Sequence, residues 1–120
     1  MATILVVEDN PHNLKLALLV LQKAGHAVLS ADNGETGLRI ANAEQPDLIL
    51  MDVQMPGMDG LSVTRLLKQS PATAHIKVVA LTALAMKGDA ERILAAGCDA
   101  YLAKPYHYND LMAVVDRALG

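Results

Sequence analysis

Polar side chains that could do chemistry stand at the ends of four apolar, strand-like runs in this sequence. They are three carboxylates, a hydroxyl and an ammonium, namely Glu8, Asp9, Asp52, Thr82 and Lys104. Buried strands seldom end in charged groups, so four such endings in one short chain indicate a shared site. Three carboxylates suit a hard divalent cation, Mg²⁺ or Mn²⁺ rather than zinc, because these ions prefer oxygen ligands. The ammonium and the hydroxyl add donors for phosphate oxygens, so the whole set indicates metal-assisted phosphoryl chemistry.

Each of these features has a plainer explanation when it is taken alone. An acidic pair after a strand commonly begins a loop, Thr82 could cap a helix, and Lys104-Pro105 is ordinary loop sequence. The functional interpretation depends on all four features occurring together in one chain order.

The elements that must position these residues alternate between strand and helix. Apolar runs predict five strands, at about 4–7, 27–31, 48–51, 77–81 and 100–103. Helical segments are predicted at about 11–24, from the turn at 32–34 to 44, and at 61–69, 86–96 and 108–119. Continuous apolar strands joined by helices indicate an α/β fold, with a doubly wound parallel sheet covered on both faces. We predict one domain over residues 1–120, with the flavodoxin-like strand order 2-1-3-4-5 and ligands at the carboxyl ends of the strands.

The composition of the chain argues against several classes of protein. The net charge of −3 argues against direct nucleic-acid binding, which needs a basic face. No apolar stretch is long enough to span a membrane. The single Cys98 permits no internal disulfide, which fits a reducing compartment. We therefore expect a cytoplasmic protein that is a monomer or a weak dimer.

The predicted strand order brings the acidic residues together. The first and third strands become neighbours about 4.8 Å apart, so Asp9 and Asp52 face each other. Glu8 would point to the opposite face of a regular strand and must curl over the strand end to join them. Lys104 follows a strand about 10 Å from Asp52, and only a long side chain can return its charge to that residue. Asp52 is central, because a carboxylate can act as a nucleophile toward phosphorus.

Five short motifs are spread along the chain. They are Val6–Asn10, Asp47–Asp52, Met55-Pro56 with Asp59-Gly60, Leu81–Ala83 and Ala103–Pro105. With these motifs the chain resembles the receiver domains of response regulators over essentially its whole length. The resemblance implies that Asp52 accepts a phosphoryl group from a sensor histidine kinase or a histidine phosphotransfer protein. It also implies that Asp9, Asp52 and the backbone carbonyl of Gln54 hold Mg²⁺, with Glu8 acting through water or from the second ligand layer.

The same resemblance implies a switch. Thr82 and Lys104 would bind the phosphoryl group, and the peptide bond before Pro105 would be cis. Thr82 would move toward the phosphate, and Tyr101 would then turn inward. The surface formed by the fourth helix, the fifth strand and the fifth helix would change, and downstream protein targets would recognise it.

Four further residues receive predicted roles. Gln54 and Leu84 occupy the two positions at which the family tunes the lifetime of the acyl phosphate, and the apolar Leu84 predicts slow dephosphorylation. Leu16 and Leu19 fall on the outer side of the first helix, where receivers dock histidine-bearing partners. Scattered exposed leucines are also normal on a monomer, so that alternative stays open.

A narrower resemblance, to single-domain regulators of cell division, comes from residues 82–89 and 91–93. Two other classes of protein compete with a signalling switch that is not an enzyme. A haloacid-dehalogenase-like Mg²⁺-dependent phosphatase usually has a second acid two residues after its nucleophile, where this chain has Gln54. A flavodoxin-like cofactor binder needs a phosphate loop rich in Ser, Thr or Gly, where this chain has Glu8-Asp9-Asn10-Pro11.

Overall fold

A computed structural model of the chain describes residues 2–83 and 87–120, so Leu84 lies outside the described residues. The strands form one parallel sheet in the order β2-β1-β3-β4-β5, with bounds β1 Thr3–Val7, β2 Ala27–Ala31, β3 Leu48–Asp52, β4 Lys77–Thr82 and β5 Ala100–Ala103. The helices within the described ranges are α1 Pro11–Lys23, α2 Gly34–Glu44, α3 Gly60–Gln69, α4 Lys87–Ala95 and α5 Tyr108–Leu119. The predicted fold class and strand order are confirmed. Among these helices, none has the length and apolar character that crossing a membrane requires.

Both faces of the sheet are covered by helices. Successive side chains of a strand point to opposite faces, so each strand supplies two apolar layers. Ile49 of β3 packs with residues of α2, α3 and α4, whereas Leu50 packs with residues of α1 and α5. All five residues of β3 are buried, including Asp52 at its end. Because the faces are closed, the strand ends are where polar side chains can meet.

Side-chain caps begin α1 and α3, the helices that follow the two strands with acidic ends. The Asn10 Oδ1 atom accepts a hydrogen bond from the Asn13 N–H at 3.0 Å, and Pro11 is the first residue of α1. The Asp59 Oδ1 atom accepts one from the Ser62 N–H at 2.9 Å at the start of α3. These caps fix where the loops after β1 and β3 end and where α1 and α3 begin, close in sequence to the acidic side chains.

Gly60 brings the start of α3 against the backbone of Asp52. A Cβ atom on Gly60 would overlap the Asp52 carbonyl oxygen and lie 2.9 Å from both the Asp52 carbonyl carbon and the Met51 Cγ atom. The Gly60 N–H also donates to the Val53 carbonyl at 3.3 Å. Only a residue without a side chain permits this approach, so Gly60 sets the distance between α3 and β3.

We predict that Gly60→Ala lowers the free energy of unfolding by about 1–3 kcal/mol, because the added methyl group meets backbone atoms that cannot move aside. Urea denaturation measures the change. Gly88→Ala is the matched control, because a Cβ atom there has nothing within 4 Å and alanine is the better helix former. Gly88→Ala should leave the free energy of unfolding unchanged or raise it by up to about 1 kcal/mol. Equal stabilities for the two variants would contradict the close contact at Gly60.

Candidate functional site

Three carboxylates converge at the carboxyl ends of β1 and β3. Each of Glu8, Asp9 and Asp52 offers an oxygen atom, and these atoms lie within 4.8 Å of one another. The strand register pairs Val7 with Met51, which puts the residues that follow them, Glu8 and Asp52, at the same level. The predicted acidic cluster is therefore assembled by neighbouring parallel strands.

The three carboxylates differ in their burial. The side chains of Glu8 and Asp52 are each 2% exposed, whereas Asp9 is exposed. The Glu8 N–H donates to the Ala31 carbonyl at 3.0 Å, so pairing with β2 continues through Glu8 beyond the end of β1. This continued pairing holds Glu8 inside the structure, and the chain turns outward at Asp9.

Lys104 reaches the two buried carboxylates from the far side of β4. Its Nζ atom lies 3.0 Å from Glu8 Oε1 and 3.3 Å from Asp52 Oδ1. The Lys104 N–H donates to the Thr82 carbonyl at 2.7 Å, and the peptide bond between Lys104 and Pro105 is cis. The long side chain thus brings a positive charge to Asp52 across the width of a strand.

The cluster shifts the ionisation of its own members. Burial, together with the hydrogen bond and negative charge of Glu8, raises the pKa of Asp52 to about 7. Burial alone would also raise the pKa of Glu8, but its hydrogen bonds with Asp52 and Lys104 lower that pKa below its ordinary value. Burial acts to lower the pKa of Lys104, but the two carboxylates outweigh it and raise that pKa. Of the two buried carboxylates, Asp52 is therefore the one that binds a proton more readily.

Thr82 and Gln54 flank Asp52 on the side of β4. Thr82 is fully buried at the end of β4, and the residue before it, Leu81, pairs with Asp52 in the sheet. The Gln54 backbone N–H donates to Asp52 Oδ1 at 3.1 Å, and the Gln54 side-chain oxygen accepts from the Ala83 N–H at 3.2 Å. The sequence did not predict this second bond, since its partners are 29 residues apart and neither side belongs to a recognisable cap.

Three residues with predicted roles have exposed side chains. Tyr101 of β5 is 45% exposed. Leu16 and Leu19 are 50% and 47% exposed, which agrees with their expected place on the outer side of α1. Their contacts with partners stay predictions.

A cavity of about 690 Å³ lies between α1 and the start of α5. Leu16 lines it from α1, Tyr106 and Tyr108 line it from the other side, and Lys104 lies at its border with the acidic cluster. The sequence did not single out Tyr106, whose half-buried side chain packs on the core and whose pKa is raised by burial. Its place two residues after Lys104 was the only available signal.

Comparisons with known proteins agree with this geometry. Residues 4–116 match the family described as the response regulator receiver domain. Over 118 residues the chain is 42% identical to the polar-differentiation response regulator DivK of Brucella anthropi, with 98% of this chain and 96% of that protein covered.

Two solved structures show the same fold. One is the receiver domain of a sensor histidine kinase from Pseudomonas aeruginosa PAO1, with a magnesium ion coordinated in its active site cleft (37% identity, TM-score 0.91, 99% and 98% of the two chains covered). The other is the chemotaxis protein CheY4 of Vibrio cholerae (26% identity, TM-score 0.93, 98% of each chain covered). The chain belongs to the response regulator receiver domain family, whose members are signalling proteins of two-component systems. This membership favours the signalling class over the phosphatase and the cofactor binder.

We predict that Asp52→Asn stabilises the fold in EDTA, and does so more at high pH. The pKa of Asp52 is about 7 in the folded chain and about 3.9 when an aspartate is unfolded. Between these values the folded state binds more protons, so the free energy of unfolding falls as pH rises. The variant lacks this titrating group, so its free energy of unfolding does not fall in this way. The difference in free energy of unfolding between the variant and the original chain should be on the order of 2 kcal/mol larger near pH 8 than near pH 5.

Urea denaturation at the two pH values measures this difference. Asp116→Asn, at an exposed position on α5, is the control and should match the original chain at both. An equal effect of Asp52→Asn at both pH values would contradict the raised pKa.

Proposed function

We propose that this chain is a phosphorylation-dependent switch in which Asp52 accepts the phosphoryl group. The supporting observation is the environment of Asp52, a carboxylate that is 2% exposed, lies beside Glu8 and has the Lys104 ammonium at 3.3 Å. A nucleophile toward phosphorus needs positioning and charge neutralisation more than any other assistance. A sensor histidine kinase or a histidine phosphotransfer protein is the proposed donor.

The side chains of this chain that the proposed transfer uses all lie at this edge of the sheet. An Asp52 oxygen forms a bond to phosphorus while the bond from phosphorus to the donor's imidazole nitrogen breaks. The electron pair of the broken bond stays on that nitrogen, which takes a proton from water. Lys104 and Thr82 hold phosphoryl oxygens. Attack by water on phosphorus later restores the Asp52 carboxylate and releases inorganic phosphate.

The residues present fit a magnesium ion. Glu8, Asp9 and Asp52 place oxygen atoms within 4.8 Å of one another, and such hard ligands suit Mg²⁺, with Mn²⁺ as a substitute. We propose that Asp9, Asp52 and the Gln54 backbone carbonyl hold the ion and that Glu8 contacts it through water. A bound cation would offset the negative charge that accumulates when a phosphoryl group meets these carboxylates.

The proposed switch couples Thr82 to Tyr101. In the β4–β5 register Thr82 pairs with Ala103 and Ala80 pairs with Tyr101, so both residues belong to one pair of neighbouring strands. Thr82 would approach a phosphoryl oxygen, and the largely exposed Tyr101 would turn inward. The altered surface of α4, β5 and α5 would then select downstream protein targets. It remains a prediction from the sequence that Leu84 shields the acyl phosphate and slows dephosphorylation.

Incubation with Mg²⁺ and acetyl phosphate, read by intact mass, tests the phosphoacceptor. The original chain and the exposed-site control Asp116→Asn should each gain one phosphoryl group, whereas Asp52→Asn should gain none, because an amide cannot form the acyl phosphate. Labelling of Asp52→Asn, or no labelling of the original chain, would overturn the proposal.

We further propose that a phosphohistidine-bearing helix docks on the exposed Leu16 and Leu19 of α1, of which Leu16 also lines the cavity beside Lys104. The double variant Leu16→Ser/Leu19→Ser should transfer phosphate from such a donor about tenfold more slowly, since polar side chains weaken apolar contact by about 1.4 kcal/mol. Its labelling by acetyl phosphate should be unchanged.

The matched control for this docking surface is Leu66→Ser/Leu94→Ser, at leucines that are 42% and 51% exposed on α3 and α4. It should accept phosphate from the protein donor at the original rate. Equal slowing in both double variants would show that the loss is not specific to α1.

A further inference from the structure

Gln54 connects Asp52 to the backbone at the end of β4. Its N–H donates to Asp52 Oδ1 at 3.1 Å, while its side-chain oxygen accepts from the Ala83 N–H at 3.2 Å. Gln54 is exposed, so burial does not force the side chain into this position. One residue therefore contacts both the carboxylate and the first backbone donor after Thr82.

The Ala83 N–H follows the end of β4, the strand that pairs with the end of β3 that carries Asp52. The Val53 N–H donates to the Leu81 carbonyl at 3.0 Å, so the chain beyond β3 still runs beside β4. Ala83 follows two residues after Leu81 and is bridged to Asp52 by a single glutamine. The three terminal oxygens of a phosphoryl group have Lys104, Thr82 and a metal ion as proposed partners. Each oxygen can accept more than one hydrogen bond, so the oxygen held by Thr82 can also accept one from the N–H of the next residue, Ala83.

We propose that the Gln54 side-chain oxygen occupies the place on the Ala83 N–H that a phosphoryl oxygen takes after phosphorylation. This inference rests on the proposed role of Asp52 as the phosphoacceptor. Gln54 then acts as a competing latch, a positioning residue that holds the chain after β3 against the chain after β4 in the unphosphorylated state. A charged oxygen binds an N–H more strongly than a neutral amide oxygen does, so the phosphoryl group displaces the glutamine. The exposed amide can turn into solvent when it is released.

Two substitutions separate this competition from a merely structural contact. Gln54→Met keeps the length of the side chain and removes the acceptor, whereas Gln54→Glu replaces it with a charged one. The probe is trifluoroberyllate with Mg²⁺, a noncovalent mimic of the phosphoryl group on a carboxylate. Gln54→Met should bind it about fivefold more tightly than the original chain, and Gln54→Glu at least fivefold more weakly. Gln69→Met, at an exposed glutamine of α3, is the control and should bind it with the original affinity.

The Ala83 amide supplies a direct readout by NMR. Without the probe, its hydrogen exchange should be several-fold faster in Gln54→Met than in the original chain or in Gln69→Met, because the N–H has lost its acceptor. With the probe bound, the amide should be protected in all three. Thermal unfolding of each variant verifies that it is folded.

The outcomes distinguish this inference from the proposed function. If the original chain binds trifluoroberyllate but Gln54→Met shows the original affinity and the original Ala83 exchange, the latch is wrong and the phosphoacceptor stands. If the original chain and Gln69→Met neither bind the probe nor gain a phosphoryl group, the proposed function fails and the latch fails with it.

Discussion

The ammonium of Lys104 lies between two buried carboxylates, for which it is the counter-charge that the described part of the chain supplies. Glu8 and Asp52 contact it at 3.0 and 3.3 Å, and each of their side chains is 2% exposed. A charge buried alone costs several kcal/mol, and two like charges side by side cost more. The ion pairs offset part of this cost, and of the two buried carboxylates Asp52 keeps the higher pKa.

The contact constrains the whole sheet, because its three members come from different strand ends. β1 supplies Glu8, β3 supplies Asp52, and Lys104 follows β5, with β4 between. A strand order that placed β5 one strand further from β3 would add about 4.8 Å to the distance that the lysine side chain must span. The apolar layers on the two faces maintain that order, so the packing of the core and the electrostatics of the site depend on each other.

Much of this arrangement could be predicted from the sequence, since buried parallel strands are continuous apolar runs and their polar ends share one edge. The burial of Glu8 rather than Asp9 could not, because it depends on pairing with Ala31 that extends past β1. The bond from Ala83 to Gln54 joins residues 29 positions apart and leaves no periodic signal. The cavity beside Tyr106 depends on how two helices pack, which local patterns do not determine.

The close approach of Gly60 to the Asp52 main chain means that the two sides of the acidic site differ in how easily they can move. On the α3 side, backbone abuts backbone and leaves no free space for displacement. On the β4 side, the Ala83 N–H is hydrogen-bonded to the side chain of the exposed Gln54, which can turn into solvent. A group added to Asp52, as we propose, would therefore gain space on the β4 side by release of one hydrogen bond, whereas on the α3 side two main chains would have to separate.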